Sequence, residues 1–188
     1  ASLQAGNLYG YCMGNPVRYK DNNGEKGIEF SSVLLYQAFF GNGETKDYSK
    51  SVILYQTLEG SKIFQNEIAS NLEKFINSNG GQSEYSGSIS FYGNDINSND
   101  LDLHLAVGKA DYTMKFSKIT TENNFLGIKW TKTRYDVEIT LKDYYNFDEY
   151  LEGLSINNML NNWGYNREKE KDLIPFEWSA TFTFKGVG

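Results

Sequence analysis

The spacing of the apolar residues changes at Gly80-Gly81, and this change limits the chain to folds that combine helices with a sheet. Before the two glycines, Ser61 is a suitable N-cap for a helix whose apolar residues recur at helical intervals. These residues are Phe64, Ile68, Leu72, Phe75 and Ile76. After the glycines, apolar and polar residues alternate, which is typical of strands. We therefore predict a helix at 61–79 and strands beyond it.

Four segments after Gly81 carry the alternating pattern and are predicted to be strands. They are 85–93 (YSGSISFYG), 101–107 (LDLHLAV), 111–116 (DYTMKF) and 176–184 (FEWSATFTF). The last of these strands begins after Pro175, a position at which the missing N–H of proline removes no hydrogen bond from the interior of the sheet. Residues 120–124 (TTENN) are predicted to form a turn.

The other segments give less regular patterns. Residues 125–147 are predicted to be one long bent strand or two strands, with Gly127 as a bulge. Asp148 to Tyr165 has the spacing of a helix that ends near Gly164. Residues 28–40 mix helical spacing with a continuous apolar run. Residues 51–58 form either a short strand or the start of a helix.

This order of elements indicates an α+β fold. We expect N-terminal helices packed on a curved, mainly antiparallel sheet, an open half-barrel, with one helix inserted before the last strand. The prediction includes one sheet built from 81–147 and 176–185 and packed against the helix at 61–79. Residues 1–27 read as a leader and 28–188 as a single domain.

The composition restricts the partners of the chain. The formal net charge is −6, so a nucleic-acid partner is not expected, because binding to phosphates needs clustered Lys and Arg. Cys12 is the only cysteine, which excludes an internal disulfide. We find neither a run of about 18 apolar residues, as a transmembrane helix requires, nor a signal peptide in residues 1–20. We expect a monomer.

His104 is the only histidine and the first candidate for chemistry. In the predicted strand it lies on the polar face, between Asp102 and Ala106. Histidine titrates near neutrality and can serve as a general base, with Asp102 or a carboxylate of a neighbouring strand orienting it. The alternative is a surface or half-buried histidine with no catalytic role.

The second candidate is the acidic and tyrosine-rich segment 135–150. Asp143 and Tyr145 follow a long strand, are two residues apart, and point the same way if the strand continues. Asp143 could act as a base or, with Asp148, as a ligand of a divalent cation such as Mg²⁺ or Ca²⁺. Tyr145 could donate to a developing negative charge, near His104. The alternative is a solvated strand edge followed by a helix cap at Asp148.

A third candidate is the segment 161–172 (NNWGYNREKEKD). Trp163, Tyr165 and Arg167 could bind a ring or a sugar. The alternative, which we favour, is that Trp163 packs in the core and that the charged run is a solvated loop.

The opening stretch 7–24 (NLYGYCMGNPVRYKDNNG) resembles the end of the RHS-associated core, the tail of YD-repeat proteins. The matching residues are Asn7-Leu8-Tyr9, Tyr11, Asn15-Pro16-Val17, Asp21 and Gly24, with Asn22 in place of the usual Pro. The resemblance implies that 25–188 is the variable toxin region of a secreted polymorphic toxin. It also implies delivery into a competing or host cell and a cognate immunity protein as partner.

A further resemblance, to the colicin M family and to similar RHS toxins with a D-x-Y-D-F signature, covers a few residues around Asp143. Asp143, Tyr145 and Phe147 fit the signature, whereas Asn146 stands at the second Asp. Glu152 and Gly153 stand where the family has His-Arg. The resemblance implies a hydrolase of an envelope lipid-linked phosphodiester. The alternatives are a cytosolic toxin that acts on nucleic acid or a nucleotide, and a non-enzymatic binding or membrane-perturbing tip.

Overall fold

The computed structural model describes residues 30–79, 81–92, 97–126, 128–147 and 156–187, with no side-chain description for 156–161. The RHS-like stretch 7–24, Gly127 and Asp148 lie outside these residues. The helices are α1 Phe30–Phe40, α2 Val52–Gly60, α3 Lys62–Asn77, α4 Ser98–Ala106 and α5 Ile156–Lys169. The strands are β1 Lys46–Asp47, β2 Glu84–Ser90, β3 Lys109–Phe125, β4 Ile128–Tyr145 and β5 Phe176–Val187.

The strands form one open, curved sheet in the order β1-β5-β4-β3-β2. All neighbours are antiparallel except β1 and β5, which run parallel. The α+β class is therefore confirmed, with α5 inserted before the last strand. None of the helices within the described ranges is both long and apolar enough to cross a bilayer.

The predicted helix at 61–79 is confirmed as α3. The Ser61 hydroxyl accepts a hydrogen bond from the Phe64 N–H at 3.0 Å, as an N-cap should. The buried face of α3 contains Phe64, Ile68, Leu72 and Phe75, whereas Ile76 is exposed. The two ambiguous segments, 28–40 and 51–58, form helices α1 and α2.

The alternation in β5 is also confirmed, and it defines the inner, helix-covered face of the sheet. The buried residues of β5 are Phe176, Trp178, Ala180, Phe182 and Phe184. Val137, Ile139 and Leu141 of β4 pair with them and are buried on the same face. The core lies between this face and the helices.

The prediction of a strand at 101–107 is wrong, because these residues lie in helix α4. Asn97 and Asp100 form a reciprocal capping box: the Asp100 N–H donates to Asn97 Oδ1, and the Asn97 N–H donates to Asp100 Oδ2. Residues 101–107 are therefore not in the sheet with 176–184. Asp102, expected on a solvated face, is 2% exposed.

Two boundaries also differ from the predictions. Residues 120–124 are not a turn, because β3 continues to Phe125 and pairs with β4 throughout. The chain reverses at Leu126, whose φ of 51° is left-handed, so 125–147 does not form one continuous strand. Helix α5 continues to Lys169, so Gly164 lies inside it. The proposed start of this helix at Asp148 and the bulge at Gly127 lie outside the described residues.

Candidate functional site

Asp143 is a carboxylate on the inner face of the sheet, near the end of β4. Its neighbour Leu141 on the same face is 1% exposed, whereas Asp143 itself is half-buried. Burial raises the pKa of Asp143 to about 6, against a smaller lowering by the Tyr144 backbone N–H and by the Trp178 indole. The nearby charge of Asp111 raises the pKa further. A carboxyl with this pKa exists in both protonation states near neutral pH, as a general acid or base requires.

Trp178 lies directly opposite Asp143 on strand β5. Its side chain is 2% exposed, and its Nε1–H has no hydrogen-bond partner of ordinary geometry among the described residues. The indole is close enough to lower the pKa of Asp143 but is too poorly placed for a regular hydrogen bond. The Asp143 carboxylate is therefore the acceptor that lies nearest to this N–H on the neighbouring strand.

Strand β1 extends this row of side chains on the other side of Trp178. Lys46 is in register with Trp178, so the two share a face, and the Lys46 side chain is 31% exposed. The Tyr48 ring contacts the Trp178 ring at 6.1 Å between centroids, and burial raises the pKa of Tyr48 to about 12. Asp143, Trp178 and Lys46 therefore form a transverse row across three strands, which we call the β4–β5–β1 row.

Tyr145 lies on the same face as Asp143, because the strand continues as far as Tyr145. It is 6% exposed, and its ring lies 5.5 Å from those of Phe147 and Phe176. The structure thus brings Asp143 and Tyr145 together, with Tyr145 packed in the aromatic core.

His104 is on helix α4 rather than on a strand beside β4. It is half-buried, its ring lies 5.2 Å from that of Tyr92, and burial lowers its pKa. The prediction that Asp102 lies beside His104 on the polar face of a strand is wrong, because both residues are in helix α4. The Asp102 carboxylate instead accepts hydrogen bonds from the N-terminus of helix α1.

The prediction that Trp163 packs in the core and that the charged run is a solvated loop is met in part. Trp163 is half-buried, with its ring 6.0 Å from that of Phe39. Arg167 forms ion pairs with Glu170 and Asp172. These residues belong to helix α5 and the turn after it rather than to a loop alone.

Within the described ranges, no three His, Cys, Asp or Glu side chains are grouped closely enough to hold an ion. Asp148, the expected partner of Asp143 at a cation, lies outside them.

Neither a protein-family model, nor a curated protein, nor a solved structure matches this chain. The resemblances to the RHS-associated core and to the colicin M family therefore stay predictions.

A separate cleft of about 360 Å³ lies between α2, α3 and the end of β5. Tyr55, Glu59 and Lys185 are among its lining residues, and the Tyr55 ring stacks on Phe184 at 4.9 Å. Neither Asp143 nor His104 lines this cleft. The row around Asp143 has a titratable group whose pKa is strongly raised, so it is the stronger candidate for chemistry.

Sequence reasoning identified Asp143 but missed Trp178, Lys46 and Tyr48. The alternation of β5 predicts which face Trp178 occupies, but not which strand lies beside it. Strand β1 has only two residues, too few to show a periodic pattern, so no signal in the sequence indicates the position of Lys46.

Proposed function

We propose that this chain is the toxin domain of an RHS-repeat protein, delivered into competing or host cells, and that it hydrolyses an envelope lipid-linked phosphodiester. Asp143 is its general acid–base. The observation that carries this proposal is the half-buried Asp143 carboxyl, whose pKa is raised to about 6 and which stands in one row with Trp178 and Lys46. The sequence resemblance of 7–24 supports delivery as a toxin, with a cognate immunity protein as the partner.

The raised pKa suits this chemistry. An ordinary aspartate is a weak base at neutral pH, whereas a carboxylate with a pKa near 6 accepts a proton from water more readily and is still mostly ionised at pH 7. Burial of an ionised group lowers stability, and groups with shifted pKa values concentrate at functional sites because catalysis requires pKa values matched to the reaction.

Lys46 supplies a positive charge in the same row. Two strand spacings separate it from Asp143, which is roughly 10 Å. Lys46 Nζ lies 3.7 Å from Glu44 Oε2 at the surface, so it can exchange this exposed partner for a phosphate oxygen. In the proposed reaction, Asp143 takes a proton from the water that attacks the phosphorus, one ester P–O bond breaks, and Asp143 returns the proton to the leaving oxygen, while Lys46 binds the phosphate.

The test is toxicity of the full chain expressed with and without an export signal. We expect toxicity only with export, and a loss of about a hundredfold or more for Asp143→Asn, as general acid–base groups usually show. Glu138→Gln is the matched control, because Glu138 is an exposed carboxylate of the same strand. Folding of each variant is checked by circular dichroism.

The outcomes separate the alternatives. Toxicity only without export would assign the target to the cytosol and contradict the envelope substrate. A folded Asp143→Asn variant with full potency would overturn the catalytic role of Asp143. Release of phosphate-linked headgroup from a polyprenyl phosphodiester by purified protein, and its loss in Asp143→Asn, would support the reaction directly. If no neighbouring gene product binds the purified domain, the toxin assignment fails.

A further inference from the structure

The β3–β4 hairpin extends well beyond the rest of the sheet. Strand β2 pairs with β3 only as far as Lys115, and β5 pairs with β4 only as far as Tyr135. Farther out, the two strands pair with each other as far as Phe125 and Ile128. We call residues 118–125 and 128–135 the ribbon. Its eight-residue strands span roughly 25 Å at about 3.4 Å a residue.

The tip of the ribbon exposes large apolar side chains. Phe125 is 65% exposed, Ile128 is 68% exposed and Trp130 is 49% exposed, and Leu126 at the turn is 86% exposed. Phe125 pairs directly with Ile128, and Trp130 is two residues farther along β4. These three therefore share one face of the ribbon, the face opposite to the core. Contiguous exposed apolar groups of this kind mark interaction surfaces.

The ribbon also differs in charge from the rest of the chain. It holds four of the 18 basic residues and one of the 24 acidic residues, although the chain as a whole carries −6. The basic residues are Lys118, Lys129, Lys132 and Arg134, and the acidic one is Glu122. Positive charge is thus concentrated on an element that also has an exposed apolar tip.

We propose that the ribbon docks the protein on the surface of an anionic lipid bilayer. Phe125, Leu126, Ile128 and Trp130 enter the boundary between headgroups and acyl chains, where aromatic side chains are favoured. The long basic side chains reach the anionic headgroups while their stems stay against apolar surface. Apolar insertion and basic attraction together give stable peripheral binding where either alone is marginal.

Charge and edge chemistry favour a bilayer over a protein occupant. A partner that adds a strand would pair with the free edges of the ribbon, but Lys129, Lys132 and Arg134 on β4 oppose such pairing, as lysines on edge strands do. A second copy of this chain is acidic as a whole, but a tip-to-tip contact would place its basic ribbon against this one. Repulsion between the two ribbons disfavours that contact. The inference does not depend on catalysis by Asp143, which lies near the other end of β4.

The experiment is co-sedimentation of the full chain with vesicles. We expect binding to phosphatidylcholine vesicles that contain about one-third phosphatidylglycerol, and at least tenfold weaker binding to pure phosphatidylcholine. Phe125→Ser combined with Trp130→Ser should weaken binding to the anionic vesicles by roughly tenfold or more. Lys129→Gln combined with Lys132→Gln should weaken it as well and reduce its dependence on salt.

The controls are residues of the same type elsewhere. Phe40 is 62% exposed on helix α1, close to the exposure of Phe125, so Phe40→Ser should leave binding unchanged. Lys50→Gln combined with Lys62→Gln is the control for charge.

Absence of vesicle binding, or equal loss in the control and ribbon variants, would overturn the proposal. A dimer in solution that Phe125→Ser dissociates would assign the tip to a second copy instead. Asp143→Asn should bind vesicles normally, which separates this result from failure of the proposed catalysis.

Discussion

The carboxylate of Asp102 accepts hydrogen bonds from the backbone N–H and the hydroxyl of Ser31, at 3.0 and 2.8 Å, although 71 positions separate the two residues. Its other oxygen accepts from the Phe30 N–H at 2.9 Å. Asp100, two residues earlier, accepts from the Ser61 hydroxyl and from the Ile63 N–H at the start of α3. Helix α4 therefore supplies buried carboxylates to the N-termini of two other helices, where negative charge is favoured.

We predict that Asp102→Ala lowers the free energy of unfolding by roughly 2–4 kcal/mol, because it leaves two buried N–H groups and a hydroxyl without partners. Asp102→Asn should lower it less, since its remaining oxygen can still accept from Ser31. Urea denaturation of the purified variants measures both.

Asp47→Ala is the matched control for Asp102→Ala. Asp47 also accepts from a backbone N–H and a hydroxyl, both of Ser49, but it is exposed. We expect a much smaller loss of stability for Asp47→Ala than for Asp102→Ala, because solvent can replace the lost hydrogen bonds at an exposed site. Equal effects of Asp47→Ala and Asp102→Ala would contradict the capping role of Asp102.

The same residues explain where sequence reasoning succeeded and where it failed. Helix α3 was predictable because its cap, Ser61, and its buried face are both local in sequence. The stretch around Asp102 was not, because Leu-Asp-Leu-His-Leu alternates with a period of two yet forms a helix. The hydrogen bonds from Phe30 and Ser31 offset the desolvation cost of burying the Asp102 carboxylate. Both residues are distant in sequence, so no local pattern indicates them.

The candidate site was predictable only in part for a similar reason. Asp143 and Tyr145 follow a long apolar alternation, so their shared face could be inferred from the sequence. The side chains that stand in one row with Asp143, namely Trp178 and Lys46, depend on the strand order β1-β5-β4. A parallel contact between β1 and β5 needs a long crossover connection, and no local pattern indicates it.

Tyr112 connects helix α3 to the sheet through a buried polar network. Its hydroxyl donates to Glu67 Oε1 and accepts from Asn71 Nδ2 at 3.1 Å, and Asn71 is 2% exposed. Burial and the Glu67 contact raise the pKa of Tyr112. We predict that Tyr112→Phe lowers the free energy of unfolding by roughly 1–3 kcal/mol, because Glu67 and Asn71 each lose a partner.

Thermal and urea unfolding of Tyr112→Phe measure this loss. Tyr144→Phe is the control, because Tyr144 is 52% exposed on the other face of the sheet. A loss for Tyr112→Phe no larger than that for Tyr144→Phe would show that the network adds nothing to stability.

Gly164 is buried inside helix α5 and faces the ring of Phe147. A Cβ at this position would overlap that ring, which the Phe147 N–H holds in place by donating to Glu168 Oε1 at 2.9 Å. An alanine normally stabilises a helix interior by about 1 kcal/mol relative to glycine. Here we predict that Gly164→Ala destabilises by roughly 1–3 kcal/mol through overpacking.

A double-mutant cycle tests the cause. Phe147→Ala removes the ring atoms that the new Cβ would overlap, so Gly164→Ala should cost much less stability in the Phe147→Ala background than in the natural protein. Additive losses in the double variant would mean that the ring of Phe147 is not the obstacle.

Asp143 makes the stability of the fold depend on pH. Its pKa rises from 3.8 to about 6 on folding because burial disfavours the ionised form. The folded state therefore holds the proton more tightly than the unfolded state between these values. The stabilising effect is fully present below about pH 4 and is lost as the pH rises through about 6. The shift alone corresponds to about 3 kcal/mol, which partial exposure to water reduces to roughly 1–2 kcal/mol.

We therefore predict that Asp143→Asn gains roughly 1–2 kcal/mol relative to the natural protein on going from pH 4 to pH 7.5. Comparing the two pH values cancels the constant difference between a carboxylic acid and an amide in the same place. Urea denaturation across this range measures the gain, and Glu138→Gln should follow the natural protein. A difference between Asp143→Asn and the natural protein that stays constant with pH would show that the pKa of Asp143 is ordinary. It would also remove the main support for Asp143 as the general acid–base.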